Sequence, residues 1–390
     1  MEFLMVQRII ALTLLLAVVL ALGCGNSYRL KREVLEQPVA WPFYHGDRTA
    51  SGTVENGSFN GKLDILWETS TSGKPVGPVT IYYNILVYPD SKKKFKYYDI
   101  FTGGYLGKLK CKGIPQTGLV IKDSLAYFSL APRKNYLRCI NLLNNDMLWK
   151  RHVKDAAAGS ILLENSLVIS SGDGLITAYD IVDGRQVWQA ETEGRIVAPV
   201  SYRDGKLFQP GVDGKLYVLS ATDGRELYRI EALGPMVSSV VADKLVYAAD
   251  ILGYVGAYDP VDGRSVWQVK LSGPIWTSPV LAGERLFIGH SGGGLVALEA
   301  SSGRELWRFE TGEVIKASPI AVGEFVIAGT MTGKLLVLKA SDGSPVDERQ
   351  LTGAVVFSPV TDGRRVFVVT QKGKIICFGE KNDKPIQTDQ

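Results

Sequence analysis

Along almost the whole chain, short apolar runs alternate with polar positions and break at glycine-rich turns. Around residue 180 the runs are LENSLVIS, GLITAYD, QVWQAE and IVAPVSY, separated by Gly172-Asp173-Gly174 and Asp183-Gly184. Runs of four to eight residues rich in Val, Ile, Leu, Tyr and Trp, bounded by Asp-Gly or Gly-Gly, predict short antiparallel strands joined by hairpins. After the first two dozen residues no segment sustains an apolar period of 3.6 over helical length, so the body is predicted to be all-β.

The pattern repeats. AYDIVDGRQVW, from Ala178 to Trp188, returns as VLSATDGRELY, AYDPVDGRSVW, ALEASSGRELW and VLKASDGSPVD, and in degenerate form upstream as RCINLLNNDMLW and KYYDIFTGGYLG. Its third position falls at Asp99, Asn141, Asp180, Ser220, Asp259, Glu299, Lys339 and Gly379, in steps of 39 to 42 residues. A period of this size marks a propeller, solenoid or array. Each step holds four strands. In the motif the polar third residue is placed to bond the backbone of the turn, and the glycine supplies a positive φ. The aromatic that follows, at Trp149, Trp188, Tyr228, Trp267 and Trp307, supplies a flat surface for packing between neighbouring units, whereas Gly107 and Asp347 depart from the pattern.

Composition agrees with one large repeat body. The chain has 390 residues, 46% hydrophobic and 22% charged, with a formal net charge of +4, and a repeat array shares one continuous core rather than dividing into domains. The one basic run, Lys92 to Lys94 with Lys96, reads as a solvated loop, and no nucleic-acid partner is expected. Ahead of the repeats, Ile9 to Gly23 forms an apolar stretch too short for a membrane span and ends at Cys24, the form of a secretory signal. The predicted organisation is a signal segment at 1–23, a tether and N-terminal apron at 24–60, the repeat body at 61–380 and a tail at 381–390.

The remaining cysteines, Cys111, Cys139 and Cys377, are widely spaced without a CxxC. Cys139 and Cys377 fall in strands and read as small buried hydrophobes, which leaves Cys111 open to disulfide formation. With only His45, His152 and His290 in the chain, a multi-histidine metal centre is not expected. The segment WPFYHGDRTASG, Trp41 to Gly52, reads as an apron against the ring, and Trp276 and Lys316 read as lining of a central channel.

The motif A-x-D-x-x-T-G-x-x-x-W resembles the tryptophan-docking signature of the PQQ-like β-propeller family, over about Gly61 to Gly379. The resemblance implies that the A-x-D strand is third in its blade and the Trp strand fourth and outermost. The last unit ends in KIICFG without an outer strand, while LDILWETS, carrying Trp67, has no A-x-D strand before it. Pairing the two closes the ring and removes its exposed edges, so the expectation is an eight-bladed propeller of four-stranded blades.

The resemblance to quinoprotein dehydrogenases is confined to the scaffold. The vicinal cysteine pair common in those enzymes is missing, and no calcium-binding set can be placed, so no cofactor and no catalytic residue are assigned. Ala21-Leu22-Gly23-Cys24 resembles a bacterial lipobox, which implies lipidation of Cys24 and membrane anchoring through it. Together with the repeats this resembles the BamB family of outer-membrane assembly lipoproteins. That resemblance implies a non-catalytic, lipid-anchored scaffold facing the periplasm, a monomer within a larger complex whose protein partner is a barrel-assembly subunit. It places the contact at loops midway round the ring, at Arg195 and Ile196 in 193–197 and at Met236 in 232–236. A quinoprotein dehydrogenase and a ligand-sensing surface propeller are the alternative readings.

Overall fold

A computed structural model describes residues 45–131, 136–156, 159–231 and 234–381. The signal segment, Cys24, Trp41, most of the tether and nearly all of the tail lie outside the described residues, as does part of the 232–236 loop. Among the described residues there is no helix, and the strands form eight antiparallel sheets, the blades of a propeller. We number the blades 1 to 8 in chain order and letter their strands a to d from the axis outward. Blade 4 is typical: Ser201–Arg203, Lys206–Pro210, Lys215–Ser220 and Glu226–Glu231, paired in that order. Inner strands of neighbouring blades touch around the axis.

Strand burial follows the pattern read from the sequence. Strands b and c are buried on both faces between neighbouring blades, as in FVIAG and KLLVLK of blade 7, while the d strand exposes its outer edge. Every c–d pair contains a one-residue register shift, just before the turn in blades 1 to 7, as at Ala178/Tyr179 in blade 3 and Ala257/Tyr258 in blade 5. Such a bulge adds local twist and re-aims side chains. In blade 3 the d strand leaves Val187 half exposed and buries Trp188.

The turn motif joins blade to blade. Asp180 Oδ1 accepts the amides of Val182 at 2.8 Å and Asp183 at 3.2 Å, and Gly184 turns the chain at φ 71°. The preceding blade's Trp149 lies against that glycine and donates its indole N–H to Ile181 O at 3.1 Å. The same donation runs from Trp188 to Ala221, Trp267 to Ala300 and Trp307 to Ala340, and the Tyr228 hydroxyl reaches Pro260 O instead.

Blade 8 takes its d strand from the other end of the described chain. Ile65–Ser70 pairs antiparallel with Lys374–Phe378, and the Trp67 indole donates to Ile100 O of blade 1 at 2.9 Å. Before reaching that strand the chain crosses the ring. Carbonyls of Arg48, Thr49, Ser51 and Gly52 accept the amides of Tyr202, Ala242, Leu281 and Ala321, on the inner strands of blades 4, 5, 6 and 7 in turn. Thr53–Val54 then pairs parallel with Ala321 and Val322, and the Phe59 amide bonds Gly363 O in blade 8. This strap runs along the inner strands at the end of the axis that bears the a–b and c–d turns.

Candidate functional site

The end of the axis opposite the strap carries the b–c turns and the loops that enter each inner strand. Its backbone is tied from blade to blade. The Val212 amide bonds Arg195 O, Met236 N bonds Gly211 O, Ile251 N bonds Pro235 O and Ile275 N bonds Asp250 O. Below this rim the inner strands are joined by serines: Ser239 N donates to Ser278 Oγ at 3.1 Å and Ser278 N to Ser318 Oγ at 2.8 Å. These hydroxyls accept amides from the neighbouring blade that would otherwise be buried without a partner. Sequence reasoning missed this belt, although its signal was present in the recurring Ser-Pro of TSPV and ASPI.

The rim exposes few large apolar side chains, and three of them fall on consecutive blades: Val197 of blade 4, Leu252 of blade 5 and Trp276 of blade 6, at 40%, 51% and 42%. Leu252 sits over Gly234, where an added Cβ would collide with it at 2.7 Å. The Lys316 ammonium lies 5.1 Å from the centre of the Trp276 ring, within cation–π range. Arg195 is exposed beside Val197, and its Nε reaches back to Gly172 O in the b–c turn of blade 3 at 3.4 Å.

Two residues expected at a contact surface are placed elsewhere. Ile196 is 1% exposed, packed with Trp188, Val200 and Tyr217, and Met236 is fully buried among Phe208, Val218 and Val246. Both lie in loops that lead into the inner strands, five residues ahead of Ser201 and Val241, and their side chains turn into the core between blades. Arg195 and Val197 face solvent, while Ile196 and Met236 hold the loops from beneath.

Next to Arg195, Glu193 is fixed by charge. Its carboxylate accepts from Lys215, and from Arg229 Nη1 at 2.6 Å. Its backbone amide donates to the Tyr217 hydroxyl at 3.0 Å, and that hydroxyl donates to Asp213. The two cations hold the Glu193 carboxyl down at about 2, well below its ordinary value; Glu193 in turn raises Lys215, and Glu226 together with Glu193 raises Arg229. The cluster follows from register, since Tyr217 lies opposite Arg229 in the c–d pair of blade 4.

Elsewhere the site chemistry is sparse. Among the described residues no group of three or more His, Cys, Asp or Glu is arranged to hold a metal ion. His45 lies in the strap, His152 on the outer strand of blade 2 and His290 at a b–c turn of blade 6. Cys111, Cys139 and Cys377 are unbridged, the last two fully buried, and burial raises the Cys111 and Cys139 thiols to about 12 and 11.

The family described as "Outer membrane protein assembly factor BamB" matches residues 133–240, 170–259 and 231–388, together more than half of the chain. Curated relatives of that name are 26% identical over 148 residues in Pseudomonas aeruginosa and 31% identical over 111 residues in Shewanella oneidensis. These matches cover 37% and 25% of this chain, and they span 38% and 28% of the relatives' own lengths. Among solved structures, BamB from Moraxella catarrhalis superimposes with a TM-score of 0.71 at 16% identity, covering 82% of this chain and 100% of that one. A europium-containing methanol dehydrogenase also superimposes, with a TM-score of 0.71 at 11% identity, covering 87% of this chain and 91% of that one. At such identities the superpositions speak for the shared propeller alone. On the strength of the family match, the chain belongs to the outer membrane protein assembly factor BamB family.

Proposed function

We propose that this protein is a non-catalytic, lipid-anchored scaffold of outer-membrane β-barrel assembly, held to the outer membrane through Cys24 and facing the periplasm. It presents the b–c-turn end of blades 4 to 6 to a protein subunit of the assembly machinery. The observation that carries this reading is the row Arg195, Val197, Leu252 and Trp276, exposed on a rim whose backbone is bonded from blade to blade. A rigid rim loses little conformational entropy on binding, and Arg and Trp are the side chains that most often anchor interfaces. The Glu193 cluster holds the loop carrying Arg195 in one shape. Family membership and the relatives' names support the assembly role.

Co-purification from detergent-solubilised envelopes tests the reading. The wild-type chain is expected to recover a barrel-assembly subunit, and the variant Arg195→Glu with Leu252→Asp to recover at least about tenfold less. Recovery without such a subunit, or equal recovery by the variant, would sink the proposal. Cys24→Ser is expected to release the protein from the membrane fraction. A redox reading would instead require pyrroloquinoline quinone with calcium to change the protein's absorbance or melting temperature.

A further inference from the structure

The outer strand of blade 1, Tyr105–Lys110, is unlike the d strands of blades 4 and 6. Those read ELYRIE and ELWRFE and mix acids with arginine, whereas YLGKLK carries two lysines and no carboxylate. Register sharpens the difference. Lys110 stands directly opposite Lys94, and Lys108 opposite Lys96, and like charges directly opposite in a sheet destabilise it. Lys96 is neutralised by the buried Asp90 at 3.0 Å, but Lys94, Lys108 and Lys110 form no ion pair among the described residues. The neighbouring loops add more charge of the same sign. Lys92 and Lys93 are exposed in the b–c turn, and the Cys111 amide, beside the exposed Lys112, bonds Lys93 O at 2.8 Å. The run at 92–96, which in sequence looks like a solvated loop, is in the fold one half of a lysine cluster.

The same strand also exposes apolar surface at its other end, with Tyr105 at 54% and Leu106 at 39%. An edge lysine ordinarily guards a strand against unwanted pairing. The outer strands of blades 2, 4, 6 and 7 carry charges of both signs, and a second row of lysines behind the first adds repulsion without adding protection. A surface that is costly in the free protein and uniformly basic is complementary to an acidic partner.

We propose that this edge is a docking surface for an acidic, extended segment of a partner protein, which adds as a fifth strand to Tyr105–Lys110. Lys108 and Lys110 share one face of the strand, about 7 Å apart, and Leu106 is exposed at the bulge that precedes them. An added strand with alternate carboxylates meets Lys108 and Lys110 at that spacing and lays an apolar side chain on Leu106. Main-chain bonds supply affinity and the lysines supply selection. The surface lies on blade 1, away from Arg195, and does not depend on what binds there.

The test uses the full chain with two probes, poly-L-glutamate and vesicles of phosphatidylglycerol. Poly-L-glutamate is expected to bind and to slow amide exchange within residues 105–110, and the Lys108→Glu, Lys110→Glu double variant to bind at least about tenfold more weakly. Because the variant removes the uncompensated like-charge pair of Lys94 and Lys110, it is expected to melt about 1 °C or more above the wild type, which also reports that it folds. Equal binding by the variant, or protection confined to other strands, overturns the proposal. So does binding to vesicles that is lost in the variant while poly-L-glutamate binding is retained, since the surface would then be one for lipid. A variant that melts below the wild type removes the argument from charge repulsion.

Discussion

Trp67 pairs in register with Cys377, the two strands lying at opposite ends of the described chain, and the same indole donates its N–H to Ile100 in blade 1 at 2.9 Å. One side chain thus completes the last blade and docks on the first. Its ring lies 6.0 Å from that of Phe367 and against Gly103. Trp67→Ala is expected to cost about 3–5 kcal/mol, as for other buried aromatics. Urea denaturation would show this as a lower midpoint of one cooperative transition, and an unchanged midpoint would mean that the ring is held shut elsewhere.

The serine belt makes a sharper demand on single atoms. Ser278→Ala leaves the Ser239 amide buried without its acceptor, a loss of about 1–3 kcal/mol. Ser278→Thr keeps an acceptor at the same place. A thermal melt in which alanine is destabilised and threonine much less so would support the belt, and equal melts for both would argue that the belt carries little.

Turn glycines separate two costs that usually come together. Gly224 sits at φ 75° with the Trp188 ring 2.4 Å from where a Cβ would be, while Gly205 sits at φ 77° with nothing within 4 Å. Alanine at either position meets the left-handed backbone cost of about 1–2 kcal/mol, but only Gly224→Ala must also displace an indole. Gly224→Ala is expected to be the less stable variant by differential denaturation, and equal loss would show that the Trp–Gly contact gives way freely.

His45 makes the strap sensitive to acid. The ring is 2% exposed and burial lowers its pKa to about 4, with Asp47 and the Ala50 carbonyl opposing. An unfolded chain takes up that proton near the ordinary histidine value, so the contribution is complete above about 6.5 and is lost as pH falls toward 4. The loss is up to about 3 kcal/mol. His45→Asn suits the positive φ of 59° and is expected to flatten stability between those pH values. A slope unchanged in the variant would assign the acid sensitivity to other groups.

The fold was legible to the extent that it repeats. AYDIVDGRQVW and its relatives pointed to the c strand, the turn and the d strand of each blade, and the missing outer strand after KIICFG pointed to Trp67, because closure leaves one strand short at one end and one spare at the other. The strap was not legible. Its bonds from Arg48, Thr49, Ser51 and Gly52 run through backbone carbonyls, which leave no mark on residue choice. At the rim, Arg195 is exposed where a contact residue was expected, but Ile196 and Met236 turned inward. These residues lie in loops ahead of the inner strands, where no ladder fixes which side chains turn inward. The lysines of blade 1 looked ordinary because 92–96 and 108–112 meet only across the sheet.

Closure by Trp67 also sets an order of events. Lys374–Phe378, the strand that Ile65–Ser70 must find, is made some three hundred residues later, and contacts so distant in sequence form slowly. A chain emerging from a ribosome or a membrane pore exposes its first edge strand before the matching edge exists. The middle blades can stack by local hairpins as they emerge, but the ring stays an open arc until its final blade is free. A helper that shields Leu66 and Trp67 during that wait would act on this protein's yield and leave its finished stability unchanged.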